Sequence, residues 1–201
     1  VYQSARYIYY QDVVLGSGGT STVHLGRHRT SGKEVAVKVL KPDSLEYSMK
    51  EVEHLRRLKH YNIVGFCEIE DDKSRRIKWI ILEWSKIGSV DNLLFLPENK
   101  FGLCEEDLLG VMRDMAEVLR FLSDCNVTHG DVKPKNILVY LENYHKIFKL
   151  ADFGISSQAT DEQHRRLEGT PEYMHPKILQ RQSPVAPFGD LWSFGVTMLQ
   201  C

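Results

Sequence analysis

The sequence predicts an α+β fold in two lobes, a strand-rich lobe over 1–84 and a helical lobe over 85–201. Three observations predict it. The first ~85 residues hold short runs of β-formers separated by glycines. Beyond Trp84 the apolar residues recur three and four apart. Between the two patterns lies only the short joint Glu83 to Val90, beside which loops should carry function.

Tyr10 to Leu15, Val23 to Arg27 and Glu34 to Val39 read as strands, and Thr30-Ser31-Gly32-Lys33 as a hairpin turn. Ser48 to Lys59 reads as a helix with Val52, Leu55 and Leu58 on one face. Ile77 to Trp84 is an apolar strand. Glu105-Glu106-Asp107 place acid in a first turn, where the helix dipole favours it. Leu108, Met112, Met115, Leu119 and Leu122 then predict one buried stripe.

A chain of 201 residues that is 42% hydrophobic can bury a sizeable core. Its formal net charge is −1, with both signs mixed along it, so no basic stripe argues for nucleic acid. Cys67, Cys104, Cys125 and Cys201 are scattered, which predicts reduced thiols in a cytoplasmic protein. No apolar run approaches the ~18 residues that span a membrane. Val1 is not a Met, and Met198-Leu199-Gln200-Cys201 ends inside an apolar helical pattern, so a fragment of a longer chain is expected.

Five pieces carry chemistry. Leu15-Gly16-Ser17-Gly18-Gly19-Thr20-Ser21-Thr22-Val23 places glycines between two strands, where backbone N–H groups can approach a phosphate. No Gly-Lys-[Ser/Thr] follows, so it is not a Walker A loop. Lys38 lies among Val35, Ala36, Val37 and Val39, and a cation in so apolar a strand takes a partner or ligand. Glu51 on the next helix can pair with it; Glu53, the competitor, faces about 200° away on an ideal helix. In Thr128-His129-Gly130-Asp131-Val132-Lys133-Pro134-Lys135-Asn136, Asp131 can accept a hydroxyl proton, Asn136 can ligate Mg²⁺, and Lys133 can balance phosphoryl charge. Asp152, after an apolar strand and before Phe153-Gly154, is a second hard oxygen ligand.

In that order the five pieces resemble a eukaryotic protein kinase, and the resemblance covers the whole chain. "GTPEYMHP" (Gly169 to Pro176) is similar to the end of an activation segment, and "DLWSFGV" (Asp190 to Val196) to the helix whose Asp anchors the catalytic loop. Lys133 with Thr170 is the serine/threonine pattern. Leu55, Phe66, His129 and Phe153 fall where the family stacks its regulatory spine. "NKFGLCEEDLLGVMRD" and "EGTPEYMHPKILQR" resemble the IκB-kinase-related group, in its TANK-binding-kinase-like branch.

The resemblance implies the two-lobe kinase fold with a truncated C-lobe. It implies ATP in a cleft, with Leu15, Val23 and Ala36 above the adenine, Leu138 below, Leu82 behind, and backbone at Glu83 to Ser85 on its edge. Lys38, held by Glu51, would position the phosphates. Asn136 and Asp152 would hold Mg²⁺, Asp131 would orient the hydroxyl, and Thr170 would bridge catalytic loop and substrate platform. It further implies protein substrates phosphorylated on Ser or Thr, innate-immune signalling, and adaptor or dimer partners through regions outside this chain.

Four positions depart from the family: Ser21 for a glycine, Lys177 for a glutamate, Gly130 for an arginine, and Arg166 where the related group has its phosphoacceptor serine. The family's Arg grips a loop phosphate and does no chemistry. Gly130 and Arg166 together therefore predict altered control, with weak dependence on loop phosphorylation. Glu162 or Glu168 pairing with Arg165 or Arg166 would hold the loop instead. Two other readings compete. His-Gly-Asp is common in aminoglycoside-type small-molecule kinases, which however lack Gly-Thr-Pro-Glu. A pseudokinase scaffold would bind nucleotide without transfer. Labelled γ-phosphate transfer to protein, with Asp131→Asn as control, separates them.

Overall fold

The structure is a computed structural model. It describes residues 1–18, 21–41, 52–53, 55–72, 77–154, 156–158, 169–180 and 187–201. The chain divides into two compact units, Val1–Arg57 with Val64–Trp84, and Leu58–Ile63 with Ser85–Cys201. Leu58–Ile63, which the sequence reading leaves in the first lobe, is thus counted with the second unit.

The first unit is built on six strands, β1 (Tyr2–Gln3), β2 (Tyr7–Ser17), β3 (Ser21–His28), β4 (Glu34–Leu40), β5 (Phe66–Asp72) and β6 (Ile77–Glu83). They form one sheet in the order β1-β2-β3-β4-β6-β5, with every pair antiparallel. Alternation along the strands sends Tyr7, Tyr9, Val35, Val37, Trp79 and Ile81 into one core. Tyr9 sets its ring edge-on to Trp79 at 5.0 Å and tilts against His24 at 4.9 Å. Burial lowers the His24 pKa, partly offset by the carbonyls of Gln11, Tyr10 and Val13. Arg6 leads into β2, yet its Nε donates to Glu70 on β5 at 2.7 Å and its guanidinium also pairs with Glu68. A sheet of this order brings those strands together only by curling. Residues 52–53 and 55–57 are helical, and Val52, Leu55 and Leu58 are all buried, as their spacing requires.

The second unit packs around α2 (Glu105–Asp124), which follows α1 (Val90–Leu94). Val111, Met115, Val118, Leu119 and Leu122 are its buried apolar residues, but Met112 is 44% exposed. The buried face is rotated from the predicted stripe because Asp107 and Asp114 belong to it. Asp107 Oδ2 pairs with Lys146 Nζ at 2.6 Å, and Asp114 Oδ2 accepts the Phe148 N–H at 2.9 Å. Satisfied carboxylates can sit in a core, and apolar periodicity does not see them.

Against α2 lies a two-stranded ribbon, β8 (Ile137–Glu142) with β9 (His145–Leu150), following the short β7 (Val127–Thr128). Val139 and Phe148 face each other in it. The Phe148 N–H goes to Asp114 and its carbonyl accepts Asn62 Nδ2 at 3.0 Å. The Val139 N–H goes to the Gly88 carbonyl at 2.8 Å, and the Ser85 hydroxyl donates to the Val139 carbonyl. Asn62 also accepts the Leu150 N–H at 2.8 Å, and His60 stacks on Phe121 at 4.9 Å. These contacts explain why Leu58–Ile63 groups with the second unit. β10 (Ser157–Gln158) pairs with β7; α3 (Pro176–Leu179) and α4 (Pro187–Gln200) follow.

Candidate active site

Within the first unit, register decides which side chains share a surface. Val23 and Ile80 pair with Lys38, and Leu25 and Leu82 pair with Ala36. Directly paired residues project to the same face. Val23, Ala36, Lys38 and Leu82 therefore line one face, opposite the aromatic core. Lys38 is 5% exposed and Ala36 8%. Leu15, 42% exposed, precedes the hairpin in which Gly16 pairs with Val23 and Ser17 with Thr22. The Gly18 N–H donates to the Ser21 carbonyl at 3.0 Å, so Ser21 in a glycine's place still closes this turn. The Glu83 N–H goes to the Gly65 carbonyl, and its carboxylate accepts the Gly65 N–H at 2.8 Å. Glu53, the rival partner for Lys38, is exposed and pairs with Arg57 at 3.1 Å. Glu51, Gly19, Thr20, Glu162, Arg165, Arg166 and Glu168 lie outside the described residues.

In the second unit the loop at 129–136 hangs from one carboxylate. Asp190, 3% exposed in the first turn of α4, accepts the His129 N–H at 2.7 Å and the Gly130 N–H at 2.8 Å. Burial raises the Asp190 pKa; His129 and the two N–H donors oppose the shift. His129 Nδ1 accepts the Asp131 N–H at 3.2 Å, so its other nitrogen carries the proton and donates to the Ala151 carbonyl at 3.0 Å. Gly130 has φ +83°, in the left-handed region where a side chain is strained. It fits its place in the loop for a backbone reason.

Three of the expected residues converge on Asp131. Thr170 Oγ1 donates to its Oδ1 at 2.6 Å. Lys133 Nζ pairs with its Oδ2 at 2.7 Å and donates to the Thr170 hydroxyl. Asn136 Nδ2 donates to Oδ2 at 2.9 Å and to the Asp131 carbonyl at 2.8 Å. Pro134–Asn136 form a single 3₁₀ turn, which brings Asn136 back under Asp131. Because the Asn136 nitrogen faces Asp131, its carbonyl oxygen is the end that suits a hard cation. Across the ribbon, Phe153 is 1% exposed and edge-on to His129 at 4.8 Å. Asp152 beside it is exposed at φ +63°, a rare conformation for a non-glycine residue. The donor types at Asn136 and Asp152 therefore fit Mg²⁺, a cation that keeps waters and binds largely with phosphate oxygens.

The protein kinase domain family model matches residues 9–201. This chain belongs to that family. It is 38% identical over 97% of its length to the mouse (Mus musculus) inhibitor of nuclear factor kappa-B kinase subunit epsilon. Over 98% of its length it is 31% identical to the serine/threonine-protein kinase pakG of Dictyostelium discoideum. Over 93% it is 29% identical to the chicken (Gallus gallus) inhibitor of nuclear factor kappa-B kinase subunit alpha. The chain spans 29%, 16% and 26% of those relatives.

Sequence reasoning missed the supports. It placed Ser85 only through its backbone, whereas the buried hydroxyl also holds Val139. It gave no role to Asn62 or Asp114, which hold both backbone groups of Phe148. The available signal was a lone polar residue inside an apolar run, as at Asn62 between Tyr61 and Ile63. Lys177 is exposed, and its N–H donates to His175 Nδ1 at 3.1 Å.

Proposed function

We propose that this domain catalyses Mg²⁺-ATP-dependent phosphorylation of serine or threonine on proteins. The observation that carries the reading is the Asp131 carboxylate, fixed by Thr170 at one oxygen and by Lys133 and Asn136 at the other. A carboxylate so held can orient an incoming hydroxyl and accept its proton without reorganising. Lys133 carries charge to the transferred phosphoryl group, and Lys38 positions the remaining phosphates. Leu15, Val23, Ala36, Leu82 and Leu138 contact the adenine in this reading. Mg²⁺, held by Asn136 and Asp152, would neutralise phosphate charge. Catalysis then is positioning plus electrostatics. Gly130 leaves this chemistry intact, because Asp190 grips backbone at 129 and 130 rather than a side chain. In this reading the domain serves innate-immune-type signalling in the cytoplasm, with adaptor or dimer partners through other regions; the likeness to kinases named for the inhibitor of nuclear factor kappa-B is in keeping with the signalling role alone.

The test is transfer of labelled γ-phosphate from ATP to dephosphorylated casein by the full-length protein, with and without Mg²⁺. Label on serine or threonine, lost in Asp131→Asn and in EDTA, supports the reading. Nucleotide binding without transfer would make the domain a scaffold.

A further inference from the structure

Beyond Thr170 the chain makes a 3₁₀ turn, Pro171–Tyr173, and then α3. A peptide that presents its hydroxyl to Asp131 must lay its flanking residues along this stretch, since Thr170 itself touches Asp131. The stretch is pinned to α4 at several points. The Ser193 hydroxyl donates to the Tyr173 carbonyl at 2.7 Å, and the Tyr173 hydroxyl donates to Gln200 Oε1 at 2.6 Å. Ile178 is buried, and a Cβ on Gly189 would lie 2.8 Å from its Cδ1, so α3 meets α4 where there is no side chain.

His175 stands at the centre of this joint. Its Nδ1 accepts the Lys177 N–H at 3.1 Å, capping α3. Its ring meets Phe188 edge-on at 5.3 Å and Trp192 at 4.8 Å. A helix of four residues cannot sustain itself, so its cap and its docking carry most of its order. The ring supplies both at once, an acceptor atom on one side and an apolar edge on the other.

We propose that His175 is a positioning residue for the protein substrate, its Nδ1 capping α3 so that the stretch beyond Thr170 is preformed for a peptide. The proposal rests on the phosphorylation reading above. It assigns His175 no contact with the reacting atoms, because Asp131, Lys133 and Thr170 hold one another without it.

The experiment compares full-length wild type with His175→Ala, His175→Phe and His175→Asn, using dephosphorylated casein as acceptor. His175→Phe keeps an aromatic edge without an acceptor atom, and His175→Asn keeps an acceptor without the ring. Casein KM should rise about fivefold in His175→Ala and His175→Phe, the worth of a helix cap, with kcat and the KM for ATP within twofold of wild type. His175→Asn should restore casein KM to within twofold. Amide exchange over 176–179 should quicken in the two capless variants and not in His175→Asn. His175→Phe keeps the test decisive if His175→Ala does not fold. Unchanged casein KM in His175→Phe, or a general kcat loss with KM unmoved, overturns the proposal alone. Wild type that transfers no label to casein overturns the activity and the proposal with it.

Discussion

Replacing Asp190 by Asn should separate activity from stability. The carboxylate accepts two backbone N–H groups, at 2.7 and 2.8 Å, from His129 and Gly130. An amide of the same shape can accept only one of them and turns its own NH₂ against the other donor. A hydrogen bond to a charged group contributes about 1.5–3 kcal/mol. At roughly 1.4 kcal/mol per decade of rate, misplacing the residues beside Asp131 should lower kcat by about 10- to 150-fold. Stability responds differently. Burial raises the Asp190 pKa, so the folded state holds a proton more readily at this site than the unfolded chain does. Its charge therefore costs stability at neutral pH, and that cost fades only as the pH falls toward the ordinary carboxylate value of about 3.9. Asn removes the buried charge as it removes one bond, and the two changes offset to within about 1 kcal/mol. Urea unfolding at pH 7 and initial rates of casein phosphorylation measure the two sides. Asp190→Asn with wild-type kcat, or with a loss of more than about 4 kcal/mol in stability, would refute this account of how the loop is held.

Four further outcomes are expected. Lys38→Met should abolish phosphoryl transfer while circular dichroism and melting stay close to wild type, since an unbranched apolar chain of similar length fills the same buried place in β4. Thr128→Val should raise unfolding free energy by about 1 kcal/mol in urea titrations, because the buried Thr128 hydroxyl has no partner among the described residues and a methyl needs none. Gly130→Ala should lower unfolding free energy by about 1–2 kcal/mol, and Gly130→Arg by a similar amount, because both force a side chain onto φ +83°. Burial lowers the His60 pKa beside Phe121, with Glu117 opposing and Arg120 assisting, so the folded state prefers the neutral ring. Stability should be full above the unfolded value near ~6.5 and fall as the pH drops below it, and His60→Phe should flatten that slope in melts from pH 5 to 8.

The sheet was legible because alternation is a strong signal: Val35 and Val37 on one face and Ala36 and Lys38 on the other follow from period two. The convergence on Asp131 was legible because its members lie close in sequence or in a motif of fixed order. The polar supports were not. Asp107 and Asp114 look like surface acids on an amphipathic helix until β9 is known to offer Lys146 and the Phe148 N–H. Leu58–Ile63 carries no composition shift at either end, and its placement follows from hydrogen bonds to residues some ninety positions away. Gly130 appeared as a lost cation, and the positive φ that explains a glycine there is a property of the loop's path rather than of its residues.

The way the β8–β9 ribbon is closed off has a consequence for the life of the chain before it is folded. A two-stranded ribbon offers two outer rows of backbone groups, and such rows recruit strands from other molecules. Here Val139 and Phe148 have those groups occupied by Gly88, Ser85, Asn62 and Asp114, which come from three separate stretches of sequence. Until all three stretches arrive, the ribbon is an open template next to an exposed Leu141. Asn62 and Asp114 thus act as gatekeepers against self-association, and losing either should show in the yield of soluble protein from a refolding mixture before it shows in the activity of the molecules that succeed.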